Sequence, residues 1–267
     1  MPAYYNEFNP QAAQWLRNLI AAGKIAPGDV DTRSITEVQA DDLRSYEQCH
    51  FFAGIGGWSY ALRLAGWPDD GPVWTGSCPC QPFSTAGHQR GSADERHLWP
   101  AFFNLIRQRR PARVFGEQVA GAAGYAWWDH VAADLEGEGY AAAAADLGAH
   151  SVGSIHMRQR IYWIGADPNS DRPQGCKHEP IEVCEPWGQE QFARLVHESV
   201  QLSGATGKGG ALDDGLSPLL GGFGNAIVPQ VAAVFVMANV GIEPPYSVGS
   251  NDGLGVCPID ATILESK

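Results

Sequence analysis

The sequence predicts an α/β protein built on a largely parallel sheet. Short apolar runs alternate along the chain with segments of helical period, the pattern left when crossover helices join parallel strands. A glycine-rich stretch, Phe51-Phe-Ala-Gly-Ile-Gly-Gly57, follows one such run and opens a helical segment, as strand-to-helix turns of these folds do. At 267 residues the chain is long enough for one large domain, or for one domain with a small appendage.

The elements follow in order. A strand at residues 4–7 leads to a helix at 10–22, whose Pro10 suits the first turn, where its missing N–H has no partner to lose. A strand at 50–53 passes through the glycine turn to a helix at 57–65, and a strand at 73–76 comes after Gly66-Trp-Pro-Asp-Asp-Gly-Pro72. Then come a helix at 98–109, a strand at 113–116, a helix at 125–137, strands at 140–146 and 160–165, and a helix at 227–240. From 166 to 215 the periodicity gives way to polar, Gly- and Pro-containing sequence, expected to be a small loop-rich subdomain, and the Gly/Pro/Asp-rich tail from 241 is expected to be irregular.

Bulk composition narrows the function classes. No apolar run reaches membrane-spanning length, and Met1-Pro-Ala-Tyr-Tyr-Asn-Glu7 lacks the basic and apolar regions of a signal peptide, so a cytoplasmic protein is expected. The six cysteines are then expected to be reduced. A net charge of −12 argues against a generic nucleic-acid coat. Charge is unevenly spread, however. Arg90, Arg96, Arg107, Arg109, Arg110 and Arg113 form a basic stripe beside a cysteine-bearing loop, where a polyanion would lie or where a helix simply presents a solvated face.

That loop is Gly76-Ser-Cys-Pro-Cys-Gln-Pro-Phe-Ser84. Pro79 and Pro82 fix their own φ and restrict the residues before them, so Cys80 is held in a stiff, extended segment. Such a thiol is either a presented nucleophile or a buried core cysteine. Glu117 ends the strand of Arg113-Val-Phe-Gly-Glu-Gln-Val119, at the rim where parallel sheets gather functional groups. Arg158 and Arg160, at the start of a late strand, share one face by alternation and could fix a planar ligand's oxygens or hold a carboxylate.

Five motifs occur in sequence: Phe52-Ala-Gly-Ile-Gly-Gly57, Pro79-Cys-Gln-Pro-Phe-Ser84, Glu117-Gln-Val119, Arg158-Gln-Arg160 and Gly224-Asn-Ala-Ile-Val-Pro229. Together they resemble the motif series of the DNA (cytosine-5)-methyltransferases, over about residues 50–166 and 215–236. The resemblance implies a Rossmann-like S-adenosylmethionine-dependent methyltransferase fold acting on a flipped-out cytosine. It gives Cys80 the role of nucleophile at carbon 6, Glu117 that of N3 partner, and Arg158 and Arg160 that of supporting pair, Arg160 being the contact to O2. It also assigns Phe52, Gly54, Ile55, Gly56, Gly57, Pro79, Leu98 and Asn225 to the cofactor.

The chain departs from the family in one large respect. The family's second and third strands, which carry the groups for ribose and adenine, are missing between the glycine turn and the cysteine loop. Tyr5-Asn-Glu-Phe-Asn-Pro-Gln-Ala-Ala-Gln-Trp-Leu16 and Gly28-Asp-Val-Asp-Thr-Arg-Ser-Ile35 look like the missing pair of motifs, so residues 1–45 are expected to be a relocated adenosine-binding segment. Glu7 is then assigned to the ribose hydroxyls, Phe8 to the adenine face and Asp29 to the adenine amino group. With an unchanged strand order, joining the first helix straight to the cysteine-loop strand calls either for a left-handed crossover, against the rule, or for a connection that routes around differently. Smaller departures are Gln118 and His156, where the family usually has Asn and Gln.

Domain boundaries follow: a catalytic and cofactor-binding domain at 1–166, a short acidic target-recognition region at 167–214, a helix completing the domain at 215–240, and a tail at 241–267. A small recognition region implies a short recognition sequence or low selectivity. No metal is expected, because Cys176, His178, Cys184 and His197 match no standard zinc spacing. A monomer acting on DNA, with a cognate restriction endonuclease as possible partner and a bacterial or phage origin, is the expectation. An RNA cytosine-5 methyltransferase and an inactive binding relative remain open beside it.

Overall fold

The computed structural model describes residues 1–79, 98–152, 158–170 and 227–240. Cys80, the loop after it, the recognition region with its Cys and His residues, Asn225 and the tail lie outside them. The strands are β1 (Ala3–Asn6), β2 (Gly28–Asp31), β3 (Gln48–Phe51), β4 (Val73–Gly76), β5 (Arg113–Val119), β6 (Ala141–Gly148) and β7 (Gln159–Ala166). The helices are α1 (Pro10–Ala21), α2 (Gly57–Leu64), α3 (Trp99–Arg109), α4 (Ala122–Gly137) and α5 (Pro229–Val240). Among the described residues no helix is long and apolar enough to cross a membrane.

Local chemistry explains the element ends. Asn9 caps α1 by accepting from the backbone N–H groups of Gln11 and Ala12, at 2.9 and 3.2 Å, and Pro10 follows inside the first turn. Gly56, at φ 81°, starts α2 in a left-handed conformation that a Cβ would strain. β5 runs three residues beyond the expected end, because Gly116 is directly opposite Trp163 of β7 and lets that indole lie flat over the strand. β2 was not expected as a strand: Gly28-Asp-Val-Asp has one apolar residue and forms an edge that is only half covered.

The seven strands form one sheet in the order β2-β1-β3-β4-β5-β7-β6, with β7 antiparallel to both neighbours and the first five strands parallel. Two rows of side chains cross it in register. Tyr5, His50, Thr75 and Phe115 line one face, and Tyr4, Cys49, Trp74 and Val114 the other. The first face packs α1 through Leu16, α2 through Trp58 and Leu62, and α5 through Val231 and Phe235. The second packs α3 through Phe102 and Leu105, α4 through Trp127 and Val131, and the short 3-10 turns Ile35–Glu37 and Ala40–Leu43. Aromatic rings dominate this second core, where Trp99 alone contacts Phe102, Phe103, Trp127 and Trp163.

This layering settles the hand of the crossovers. β1–α1–β2 steps outward to the sheet edge with its helix on the Tyr5 face, and β4–α3–β5 steps the opposite way with its helix on the other face. Reversing both direction and face preserves hand. β3–α2–β4 steps the same way as β4–α3–β5 but keeps its helix on the Tyr5 face, so its hand is reversed. Since about 98% of such units are right-handed, β3–α2–β4 is the left-handed one. Its return is short: Gly66, at φ 74°, turns the chain, Arg63 pairs with Asp69 at 2.7 Å, and Trp67 donates to the Gly71 carbonyl.

Candidate active site

The carboxyl ends of the parallel strands form one rim. At the end of β1, Glu7 is half-buried, and its Oε2 accepts from the Gly54 N–H at 2.7 Å while Oε1 accepts from the Asn9 N–H at 2.8 Å. The N-terminal segment thus touches the glycine turn through a carboxylate. Phe8, beside it, is 72% exposed, an apolar ring with one open face. Phe52 adopts φ 51°, a left-handed conformation that is strained for a bulky residue, and it meets Phe102 edge-on at 6.0 Å. Gly54 and Ile55 lie half-buried in the turn that closes between the Gly56 N–H and the Ala53 carbonyl. The N-cap of α2 is Gly56, which has no side chain to bond the first N–H groups of the helix, and the helix opens at the rim.

Asp29 lies lower than the resemblance implied. It pairs with Tyr4 in mid-strand, and its carboxylate accepts from the Tyr46 hydroxyl at 2.9 Å. Asp31 stands at the strand end, where it accepts from Tyr4 at 2.7 Å and is paired with Arg33, which holds its carboxyl below the usual range even though burial acts the other way. Sequence reasoning passed over Asp31, whose role depends on Tyr4 and Arg33 and gave no separate signal.

β4 carries the cysteine loop out of the sheet. Gly76, Ser77, Cys78 and Pro79 are described, and Pro79 is exposed at the rim one residue before Cys80. Of the two cysteines in the motif, Cys78 is the core thiol, 2% exposed. Gln118, buried on β5, donates through Nε2 to the Cys78 carbonyl at 3.1 Å and accepts the Val119 N–H on Oε1. The longer amide at this position therefore ties the cysteine loop to β5. Leu98 immediately precedes α3 and packs on the aromatic core.

Glu117 projects from β5 toward the Tyr5 face, diagonal to Arg160 on β7, whose direct partner is Val119. Arg160 Nε lies 2.6 Å from Glu117 Oε1, with only 8% of the carboxyl side chain exposed. The contact is an ion pair whose N–H is not aligned on that oxygen, leaving Oε1 without a directed donor among the described residues. Burial pushes the Glu117 carboxyl above its ordinary range, and the charges of Arg160 and Arg158 oppose that only in part. Burial likewise lowers the Arg158 guanidinium, with Arg160 adding to the effect. A carboxyl readily protonated between two guanidiniums can donate to a ring nitrogen and share a carbonyl oxygen with them.

The basic stripe does not lie at this rim where it can be followed. α3 runs away from it, so Arg107, Arg109 and Arg110 lie at the opposite end of the sheet, where the parallel strands begin, and Arg113 opens β5 about 13 Å from Glu117 at strand rise. Arg110 pairs there with Asp167 at 3.1 Å and covers Tyr140 at 4.7 Å. Arg90 and Arg96 lie outside the described residues. Among the described residues no group of His, Cys, Asp and Glu could hold a metal ion.

Comparison with known proteins adds three findings. The model of the family described as C-5 cytosine-specific DNA methylase matches residues 67–201. The Type II methyltransferase M.NgoMIV of Neisseria gonorrhoeae is 28% identical over 113 residues, covering 37% of this chain and 36% of that protein. Among solved structures, a DNMT2 variant of Spodoptera frugiperda gives a TM-score of 0.44 at 15% identity, over 66% of this chain and 45% of that one. The Dnmt2 methyltransferase of S. pombe gives 0.40 at 15%, over 80% and 59%. The chain thus spans 36% to 59% of these relatives' lengths, less than two thirds of each.

Proposed function

The chain belongs to the C-5 cytosine-specific DNA methylase family, and on that premise we propose that it methylates carbon 5 of a flipped-out cytosine in DNA. The observation that carries the reading is Glu117: a buried carboxyl with a raised pKa, set between two guanidiniums on the strand next to the cysteine loop. Carbon 5 of cytosine is too weak a nucleophile unaided. Cys80 supplies a thiolate whose S–C6 bond forms as Glu117 protonates N3, and the C5=C6 electron pair then becomes available at carbon 5. Carbon 5 would take the methyl group, leaving the donor as a neutral thioether; a base then removes the carbon 5 proton, the C–S bond breaks, the double bond re-forms, the thiolate leaves and N3 returns its proton to Glu117. Arg160, with Arg158 behind it, holds O2 and Glu117 together. A base stacked in a duplex cannot reach this rim, so the target is extruded first.

S-adenosylmethionine is the methyl donor of the family. The residues present fit it: a glycine turn, uncapped N–H groups at the start of α2, a carboxylate at Glu7 and an open ring at Phe8. When bound, the donor supplies an electrophilic methyl group on sulfur. Phe52, Gly54, Ile55, Gly56 and Gly57 would cradle it, with Pro79, Leu98 and Asn225 alongside; Glu7 would take the ribose hydroxyls and Phe8 the adenine face. Asp29, whose Oδ2 already accepts from Tyr46, would take the adenine amino group. In this reading residues 1–45 are the family's adenosine half encoded first, and the left-handed crossover is its topological trace. The relative named a Type II methyltransferase supports a restriction–modification setting, in which the expected monomer would act beside a cognate endonuclease.

The test is transfer of tritium from labelled S-adenosylmethionine to duplex DNA, single-stranded DNA or tRNA. Label in duplex DNA, lost in Cys80→Ser, is expected. Label in tRNA alone would make the substrate RNA, and a fully active Cys80→Ser would remove the covalent mechanism.

A further inference from the structure

We propose that Trp58 and Ser77 form a clasp through which the cofactor-binding helix positions the nucleophile's loop, an inference that rests on the methyltransferase reading above. Methyl transfer needs two loops in fixed relation: the glycine turn that opens α2, and the segment after β4 that leads to Cys80. One side-chain hydrogen bond joins them directly. Trp58, the second residue of α2, donates from indole Nε1 to Ser77 Oγ at 3.0 Å, and Ser77 is the first residue beyond β4.

The indole is not free to look elsewhere. Trp58 is 4% exposed, stacked at 6.2 Å on Phe115 and edge-on at 6.2 Å to Tyr162, so its N–H direction is set by the core. A buried indole N–H needs an acceptor, and Ser77 is the one it has. The helix itself is anchored independently, because the Ser59 hydroxyl lies 2.9 Å from the Tyr5 hydroxyl and accepts from the Ala26 N–H at 3.1 Å. α2 is therefore the fixed partner and the β4 loop the positioned one. The next residue, Cys78, is held from the opposite face of the sheet by Gln118. Two ties on consecutive residues, one from each face, leave the chain at Pro79 with a set direction, one residue before Cys80.

Trp58 and Ser77 touch no reacting atom in this scheme; they are positioning residues. Ser77→Ala removes the acceptor, Trp58→Phe removes the donor while keeping a ring, and Ser77→Thr keeps a hydroxyl. Each of the first two is expected to lower kcat about tenfold, the worth of one well-made hydrogen bond, with KM for S-adenosylmethionine within about twofold of wild type. The double variant is expected to lose no more than either single one, and Ser77→Thr to recover most of the loss. Independently of any nucleic acid, the rate of Cys80 alkylation by iodoacetamide, followed on its peptide by mass spectrometry, is expected to change in both variants and return in Ser77→Thr. Should Trp58→Phe fail to fold, Ser77→Ala and Ser77→Thr carry the comparison. Additive losses, an effect confined to KM, or wild-type kcat and alkylation in Ser77→Ala would overturn the clasp. A wild-type protein that methylates no nucleic acid would overturn the methyltransferase reading, and the alkylation rates would still decide the clasp.

Discussion

Glu117 concentrates the chemistry of the rim in one titration. Its folded pKa is raised above the ordinary 4.5 by burial, so the folded state prefers the protonated carboxyl. Stability from this group is fully present below pH 4.5 and is lost as pH rises through the raised folded value. Activity that needs a proton at N3 falls over the same window. Glu117→Gln keeps the shape and one donor but cannot transfer a proton. It is expected to lower kcat at least about a hundredfold and to flatten that pH dependence of stability, read from urea melts at successive pH values. A melt profile unchanged in slope would mean that Glu117 ionises as an ordinary carboxylate.

At the scale of elements, β1, β3, β4 and α2 share a polar seam inside an otherwise apolar face. His50 is fully enclosed, with Nδ1 2.8 Å from the Thr75 hydroxyl and Nε2 3.3 Å from Gln48 Oε1, and its ring stacks on Tyr5 at 4.9 Å. Burial lowers its pKa from 6.5 to about 3. The unfolded chain therefore binds a proton between those values that the folded protein excludes. Stability is expected to fall as pH drops from 6.5 toward 3, by up to about 1.4 kcal/mol per unit. His50→Asn, compared by denaturant titration at pH 7 and pH 5, is expected to lose this slope. A histidine at the core of the sheet was legible only as the start of an apolar run; its network depends on Gln48, Thr75 and Tyr5 arriving from three strands.

For the molecule as a whole, the periodicity of the chain foretold a parallel α/β sheet, and the helices fall within a few residues of their expected spans. The missed pieces have a common cause. β2 is an edge strand with a single apolar residue, and the downward course of α3 turns a basic stripe in sequence into groups at the far end of the sheet. Glu117, Arg160 and the glycine turn were legible because their residue types serve their positions. Asp31, Trp58 and Ser77 were not, since each acquires meaning only from a partner distant in sequence. The proposed relocation of the adenosine-binding segment makes a global prediction. S-adenosylmethionine at about a hundred times its Kd is expected to stabilise the fold by about 2.7 kcal/mol, raising Tm by several degrees, and Glu7→Ala is expected to abolish most of that shift. An undiminished shift would detach residues 1–45 from the adenosine.

The left-handed join has a further consequence, in the order of folding. By linking β3 directly through α2 to β4, it puts the cofactor turn and the start of the nucleophile loop within the single stretch Gln48–Gly76. Their mutual contacts are local in sequence and carry a small loop-closure entropy, whereas the pairing of β1 with β3 must close a longer loop. The proposed centre of methyl transfer is thus the part of the sheet that can form early, and the edge formed by β1 and β2 is the part that docks onto it.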